Sequence, residues 1–377
     1  NNAYYDKQTC NNCNSYGTGK PLAELATLTI GSKADDGADF PLLKGETESP
    51  WAKGIYYDKA TGKLANSELP YLKSLPKPQD VEMEFNVKDN VIQISSTDDL
   101  KNFAKLVNEY HITDVDAELT TNLTVNSNLL GENNANVDAE TGEYKGNAPA
   151  NVWTPIGTYE KPYKGTFDGN GHTIRGLYVN DGSKGYVGLF GFISGASVQN
   201  VGLVDSYICG GSYVGGIAGF SSGGTISNSF NTGFVKATRS SDAGGVVGGV
   251  RNGMVSDAYN TGVVNGQDLV GGVGGWSFGS SVYNSYNAGT VTGSSDCVGG
   301  VVGSNGSGSA VRNVYNAGTV NGGSDVGGVV GESFEGTVSN AYYNKGAFPG
   351  NAIGFSMGTF ENVEGKTAAE FADGTVA

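Results

Sequence analysis

Val298-Gly-Gly-Val-Val-Gly303, followed by Ala310-Val-Arg-Asn-Val-Tyr-Asn-Ala-Gly-Thr-Val320, is the stretch that decides the fold. The first string, Val-Gly-Gly-(Val/Ile)-x-Gly, recurs with its last glycine at Gly219, Gly248, Gly275, Gly303 and Gly331, Ala243 opening one copy. A degenerate copy ends at Gly191, and the steps are 28, 29, 27, 28 and 28 residues. The second string, Val-x-Asn-x-(Tyr/Phe)-Asn-x-Gly-x-Val, follows each copy and places an aromatic at Phe230, Tyr259, Tyr286, Tyr315 and Tyr342. Two landmarks that keep one period through five copies mark a repeat architecture.

Each copy holds three short β-type runs, at 298–304, 310–315 and 318–321 in the quoted one, separated by Gly, Asn and Ser. No helical period occurs inside the units. Three strands and three corners in about 28 residues describe one coil of a parallel β-helix, an all-β solenoid. Its hand is expected to be right, by analogy with known folds of this kind. One coil cannot bury its inner face alone, but stacked coils can. Ile217, Val246, Val273, Val301 and Val329 then form one inward row. Ile226, Val255, Val282, Val311 and Val338 form a second, and Val235, Val264, Val291 and Val320 a third. Asn228, Asn284, Asn313 and Asn340, with Asp257 as the exception, are expected to stack as an amide ladder at a corner. Phe230, Tyr259, Tyr286, Tyr315 and Tyr342 should stack likewise.

Composition agrees. Glycine supplies 61 of 377 residues, and 45 of them fall between Gly165 and Gly346 without a three-residue register, which excludes collagen. From Val187 to Gly346 there are five Lys or Arg and eight Asp or Glu, amid abundant Val, Ile, Tyr and Phe. Disordered tracts lack such residues, so the low charge marks ordered structure. The net charge of -15 argues against nucleic acid and against an anionic membrane surface. No apolar run is long enough for a membrane-spanning helix.

Working outward, the β-helix is expected over 111–346, with clean repeats at 187–346. Residues 114–125 read as a strand, and 126–152 as a polar, acidic loop standing off the first coils. Upstream, 97–110 reads as an amphipathic helix with Leu100, Phe103, Ala104, Leu106, Val107 and Tyr110 on one face. Ser96 or Thr97 can cap it, and Asp98 and Asp99 suit its N-terminus. An open coil end is a row of unpaired strand groups, and this helix is expected to cover it. The alternation at 81–87 and the turn-like Lys88-Asp-Asn90 suggest a hairpin, so 77–110 divides into linker, hairpin and capping helix. Residues 347–377 read as a C-terminal tail or cap.

The Val-Gly-Gly-x-x-Gly units, preceded by Trp153-Thr-Pro-Ile-Gly157, Gly165-Thr-Phe-Asp-Gly-Asn-Gly-His-Thr-Ile174 and Val187-Gly-Leu-Phe-Gly191, resemble the GLUG-repeat proteins over about 96–345. These are bacterial extracellular proteins of the pectin-lyase-like β-helix type, abundant in gut bacteria, and they include adhesins. The resemblance implies a secreted or cell-surface location more than it implies chemistry. The repeat also accompanies IgA-directed metallopeptidases. That chemistry does not carry over, because the sequence has two histidines, His111 and His172, and no His-Glu-x-x-His.

The chain also resembles itself. Asn2-Ala-Tyr-Tyr-Asp-Lys7 matches Asn340-Ala-Tyr-Tyr-Asn-Lys345 in five of six residues, and Gly19-Lys-Pro-Leu-Ala-Glu-Leu-Ala26 matches Gly365-Lys-Thr-Ala-Ala-Glu-Phe-Ala372 in five of eight. Residues 1–76 therefore read as the closing region of a preceding repeat unit, within a longer chain of neighbouring β-helix domains.

Candidate chemistry is sparse. Asp242, Asp268, Asp296 and Asp325, one per coil, could cap their own turns or form a column that binds structural calcium. No other cofactor is expected. Asp168 and His172 sit in a motif that more readily makes a tight turn than an acid–base pair, and no second carboxylate is identifiable. Cys10 and Cys13 could form a local disulfide, and Cys297 occupies the position taken by Tyr213 in an earlier coil, which suits a buried free thiol. Trp276 and Tyr283 are candidates for stacking on sugar rings. The expected function is a non-catalytic, rigid, adhesin-like scaffold. The alternatives are a glycan-binding module or a polysaccharide lyase or hydrolase. A host or microbial surface glycan or protein is the expected partner.

Overall fold

The computed structural model describes residues 85–239 and 242–371 in full, together with the backbone of short strands between Tyr4 and Leu72. The chain divides into two compact units, Asn1–Asn90 and Val91–Ala377. In the first, Tyr4–Asp6 pairs in parallel with Thr18–Lys20 and Ile30–Ala34 with Phe40–Leu42, while Trp51–Asp58 and Lys63–Leu72 pair antiparallel. The expected turn after residue 87 has both Asp89 and Asn90 left-handed, as a tight type I′ turn requires. Cys10 and Cys13 lie outside the described residues.

The second unit is an all-β parallel solenoid of about nine turns with coils of about 28 residues. A coil has four strands rather than three: Val298–Gly299, Val302–Asn305, Ala310–Asn316 and Val320–Asn321. These belong to four stacks, here sheets A, B, C and D, of six, seven, sixteen and six strands. The apolar run at 298–304, continuous in sequence, breaks because Gly300 turns a corner there. A Cβ on Gly300 would stand 2.1 Å from the Gly328 carbonyl oxygen of the next coil, so only glycine fits. Every pairing between successive coils in these sheets is parallel and in register, as Val282↔Val311↔Val338 illustrates. The three inward rows are buried throughout.

Sheet C bends once per coil. The residue at the bend is Asn200, Asn228, Asp257, Asn284, Asn313, Asn340 or Asn362, each with φ between 48° and 55°. Asn and Asp are the side chains that tolerate this left-handed conformation best.

Helix α1, Thr97–Asn108, closes one end of the core. Ser96 Oγ accepts from the Asp99 backbone N–H at 3.1 Å, which satisfies an orphan donor of the first turn. Leu100, Phe103, Leu106 and Val107 are fully buried. The Phe103 ring lies 5.8 Å from Tyr163 and 6.1 Å from Phe167. Phe167 stands in the row that runs from Ile92 and Ala117 through Val198 to Ile226. Tyr110 lies beyond the helix, which ends at Asn108. Asn108 accepts from Gly157 N–H at 2.8 Å and donates to the Pro155 carbonyl at 2.9 Å, tying the Trp-Thr-Pro-Ile-Gly segment to the helix.

One segment differs from expectation, and the C-terminal tail or cap gains detail. Residues 126–152 do not stand off. Their few apolar side chains, Leu129, Leu130, Val137 and Tyr144, pack onto Tyr178, Tyr207 and Phe234 of sheet D. Asn126 and Asn151 close the base of the loop, donating to the Asn151 and Val125 carbonyls at 2.8 and 2.9 Å. Asp205 accepts from Leu129 N–H and Leu130 N–H at 3.1 and 2.9 Å, and Tyr207 OH donates to the Gly142 carbonyl at 2.9 Å. Residues 353–366 are not a simple tail: Ile353–Ser356 joins sheet B and Thr359–Lys366 joins sheet C. Helix α2, Ala368–Ala372, follows. Its Thr367 and Glu370 bond each other's backbone N–H groups at 3.3 and 2.7 Å, forming a capping box.

Candidate functional site

Three ladders run along sheet C. At the bend, Asn284 Nδ2 donates to Asp257 Oδ1, Asn313 to Asn284 and Asn340 to Asn313, each at 3.2 Å. Asn362 extends the column to Asn340 at 3.1 Å. Beside it Phe230, Tyr259, Tyr286 and Tyr315 stack with centroids 4.7 to 4.9 Å apart and rings within 6° of parallel. A Cβ on Gly202 would fall 2.2 Å from the Phe230 ring, so glycine leaves room for the first ring. Phe371 of α2 meets Tyr315 at 5.7 Å, and the Lys366 ammonium lies 5.7 Å over Tyr342. Between the amide and tyrosine columns runs a shallow groove of about 550 Å³, lined by Asn284, Asn313, Asn340, Tyr286, Tyr315 and Tyr342. Phe230, Tyr259, Tyr286 and Tyr315 spend their faces on one another, whereas Tyr342, expected to continue the stack, has Lys366 over its ring instead.

The third ladder was not foreseen. Asn231, Asn260, Asn287 and Asn316 are fully buried. Each donates to the next at 2.8 to 2.9 Å. Each also clasps the glycine two residues on, accepting from its N–H at 3.0 to 3.2 Å and donating to its carbonyl at 3.0 to 3.3 Å. In Asn260 and Asn287 this occupies both donors and accepts two bonds. The signal was the second Asn of Asn-x-Tyr-Asn-x-Gly.

Sheet B carries a different surface. Register places Phe192, Phe220, Gly249, Trp276, Ser304, Glu332 and Phe355 in one column, in which Phe192 and Phe220 are buried and Trp276 is half-buried. Tyr186 and Tyr213 of sheet A stack 5.1 Å apart beside it, and Tyr159 stacks on Tyr186 at 5.9 Å. Phe192 lies on Phe220 at 5.1 Å. Trp276 reaches back across Gly249 to Phe220 at 6.3 Å, and Phe278 lies 5.8 Å from Trp276. Tyr159, Phe278, Phe334, Phe355 and Met357 are 63%, 39%, 44%, 42% and 61% exposed. Burial pushes the Tyr186 and Tyr213 hydroxyls above their ordinary range, so both are neutral donors at physiological pH. The sequence signal for this strip was the residue after each repeat glycine: Phe192, Phe220 and Trp276.

Of the two sugar-stacking candidates, Trp276 belongs to this strip. Tyr283 does not. It lies on sheet C with the Arg312 guanidinium 4.9 Å over its ring and its hydroxyl on Met254 Sδ at 3.1 Å.

The four aspartates do not share one column. Register sets Asp242 in line with Tyr213, Leu269, Cys297 and Asp325, while Asp268 and Asp296 precede that line by one residue. Asp268 accepts from Asp296 N–H at 3.2 Å, and Asp296 accepts from Ser324 Oγ. Among the described residues no three His, Cys, Asp or Glu side chains come together as a metal site.

Two polar clusters invite a chemical reading. Asp168 accepts from Asn170 N–H, Gln199 and Asn200 at 2.7, 2.7 and 2.9 Å. Burial raises its carboxyl, but these three bonds outweigh it and hold the group below its ordinary value. It is an ionised turn-former: Asn170 and Gly171 are left-handed, and His172 N–H donates to the Gly169 carbonyl at 2.7 Å. Glu332 accepts from Ser304 Oγ at 3.2 Å and Cys297 Sγ at 3.6 Å. Burial, then Glu332, pushes the Cys297 thiol up to about 12, the opposite of what a nucleophile needs.

No family model matches this chain. It is 40% identical over 77 residues, 20% of its length, to the halomucin of Haloquadratum walsbyi, and 39% identical over 57 residues, 15% of its length, to a "putative Gly-rich membrane protein" of Evansella cellulosilytica. The matched segments span 1% and 7% of those relatives. A solved structure described as a "putative immunoglobulin A1 protease" from Bacteroides ovatus superposes with a TM-score of 0.55 at 20% identity, covering 77% of this chain and 88% of that one. That likeness supports the β-solenoid fold.

Proposed function

We propose that the solenoid is a non-catalytic, adhesin-like module of a bacterial surface or secreted protein, of the GLUG-repeat kind, and that it holds a glycan against the aromatic strip of sheet B. The strip from Tyr159 to Met357 carries the reading. Aromatic faces grip the apolar faces of sugar rings, while phenol and indole groups supply hydrogen bonds. The strip is a ridge rather than a cleft, which suits an extended polymer over a small enclosed substrate. The stacked coils beneath it form a rigid backing, so little order is lost on binding. The partial likeness to a "putative Gly-rich membrane protein" supports a setting at a membrane surface.

The test is a glycan array, with hits measured by calorimetry. Replacing Trp276 and Phe278 together with alanine should weaken binding at least about tenfold, the worth of one lost aromatic contact. Tyr283→Ala should leave it unchanged. Equal binding by both variants, or no glycan bound by the parent, would overturn the reading.

A further inference from the structure

The chain holds two copies of one closing element. Residues 2–7 and 19–26 match 340–345 and 365–372 in ten of fourteen positions. The backbone adds a fact that identity alone does not contain. In the C-terminal copy the parallel pairs are Tyr342↔Glu364, Tyr343↔Gly365 and Asn344↔Lys366. In the N-terminal copy they are Tyr4↔Thr18, Tyr5↔Gly19 and Asp6↔Lys20. Every aligned residue meets its aligned partner, in the same direction and with no slip. The copies differ in the return between the two strands, 22 residues per step in one and 14 in the other. The N-terminal copy is thus an abridged version of the same last turn.

In the C-terminal copy the first strand is paired on both sides. Thr337–Asn344 takes Thr359–Lys366 on one edge and Ala310–Asn316 on the other, with Tyr315↔Tyr342 and Asn316↔Tyr343 in register. The sequence of the N-terminal copy is that of a strand made to sit on such a coil. We infer that Tyr4–Asp6 is a docking edge for a coil of this same 28-residue repeat, entered in the Tyr315↔Tyr342 register.

Joining residues 253–339 directly to Asn2 of the full chain recreates the Ser339–Asn340 junction in phase. Joining the same block to Ala3 shifts the alternation of side chains by one residue and turns the inward set outward. Hydrogen exchange at the amides of residues 4–6 should slow at least about tenfold in the in-phase fusion relative to the parent, as pairing moves a frayed strand into a cooperative unit. The out-of-phase fusion should show no slowing. Equal exchange in both fusions, or exchange as fast as in the parent, would overturn the inference, and so would in-phase and out-of-phase fusions that aggregate alike. None of these outcomes depends on whether the strip of sheet B binds glycan.

Discussion

Two columns of asparagine run side by side up sheet C, three residues apart in four successive coils, with Asp257 taking one outer place. Both bond amide to amide between coils. The outer column, at the bend, is exposed and its bonds are 3.1 to 3.2 Å long. The inner column is fully buried, its bonds are 2.8 to 2.9 Å, and it also satisfies the backbone of a glycine in each coil. The outer column exists because the chain must turn left-handed there. The inner one exists because the corner beside it leaves peptide groups that water cannot reach. One residue type therefore answers a conformational demand in one place and a solvation demand in the other.

The largest expected effect lies in the inner column. Asn287→Ala strands the Gly289 peptide and cuts the column between Asn260 and Asn316, at about 1–3 kcal/mol per unsatisfied group. Denaturant unfolding should show a loss of at least about 3 kcal/mol; a loss under about 1 would mean the column is ornamental. Tyr286→Ala removes two stacked contacts and should cost about 2 kcal/mol by the same measurement. In the outer column Asn313→Ala should cost about 1–2 kcal/mol, the price of a left-handed residue with an ordinary Cβ. Asn313→Gly should cost almost nothing, since glycine adopts that conformation freely. If both variants were equally harmful, the amide bond and not the backbone would be the reason for that column.

The smallest effect separates the ladders from the loop. Amides do not titrate, so acid should leave the inner column intact. Asp138, in the loop at 126–152, is held at about 2 by backbone and side-chain hydrogen bonds from Thr141, with Glu140 N–H and Lys145 adding to them. A carboxylate held low stabilises its fold above its ordinary value of 3.8, and that contribution is lost as pH falls toward 2. Limited proteolysis with an acid protease should cut 126–152 between those values while far-ultraviolet circular dichroism stays unchanged. Simultaneous loss of both would show that the loop and the coils unfold together.

The period of the fold was legible because each coil must put the same side chain at the same place, and Val, Asn and Tyr at 27–29-residue steps record that. The candidate surface was less legible because the column of sheet B that carries it is free to differ. Phe192, Phe220, Gly249, Trp276, Ser304 and Glu332 look unrelated until register aligns them. The aspartates show how fine the requirement is: one residue of offset moves Asp268 and Asp296 out of the line of Asp242 and Asp325. The loop was misread from its average polarity, when four apolar side chains decided where it lies. The buried asparagines were hidden by their resemblance to the exposed ones.

Helix α1 has a consequence for how the molecule is made. Within the clean repeats each coil pairs with the coil 27–29 residues before it, so few strands there wait for a distant partner, while Ala117 and Leu123 wait about 50 residues for Phe167 and Ile174. The helix emerges just after the first strand of the second unit, Val91–Ile94, and already bears the apolar face on which the next strands can settle. A chain delivered from its N-terminus, by ribosome or by export pore, can therefore fold by accretion, each turn templating the next, with only one unfinished edge exposed at any moment.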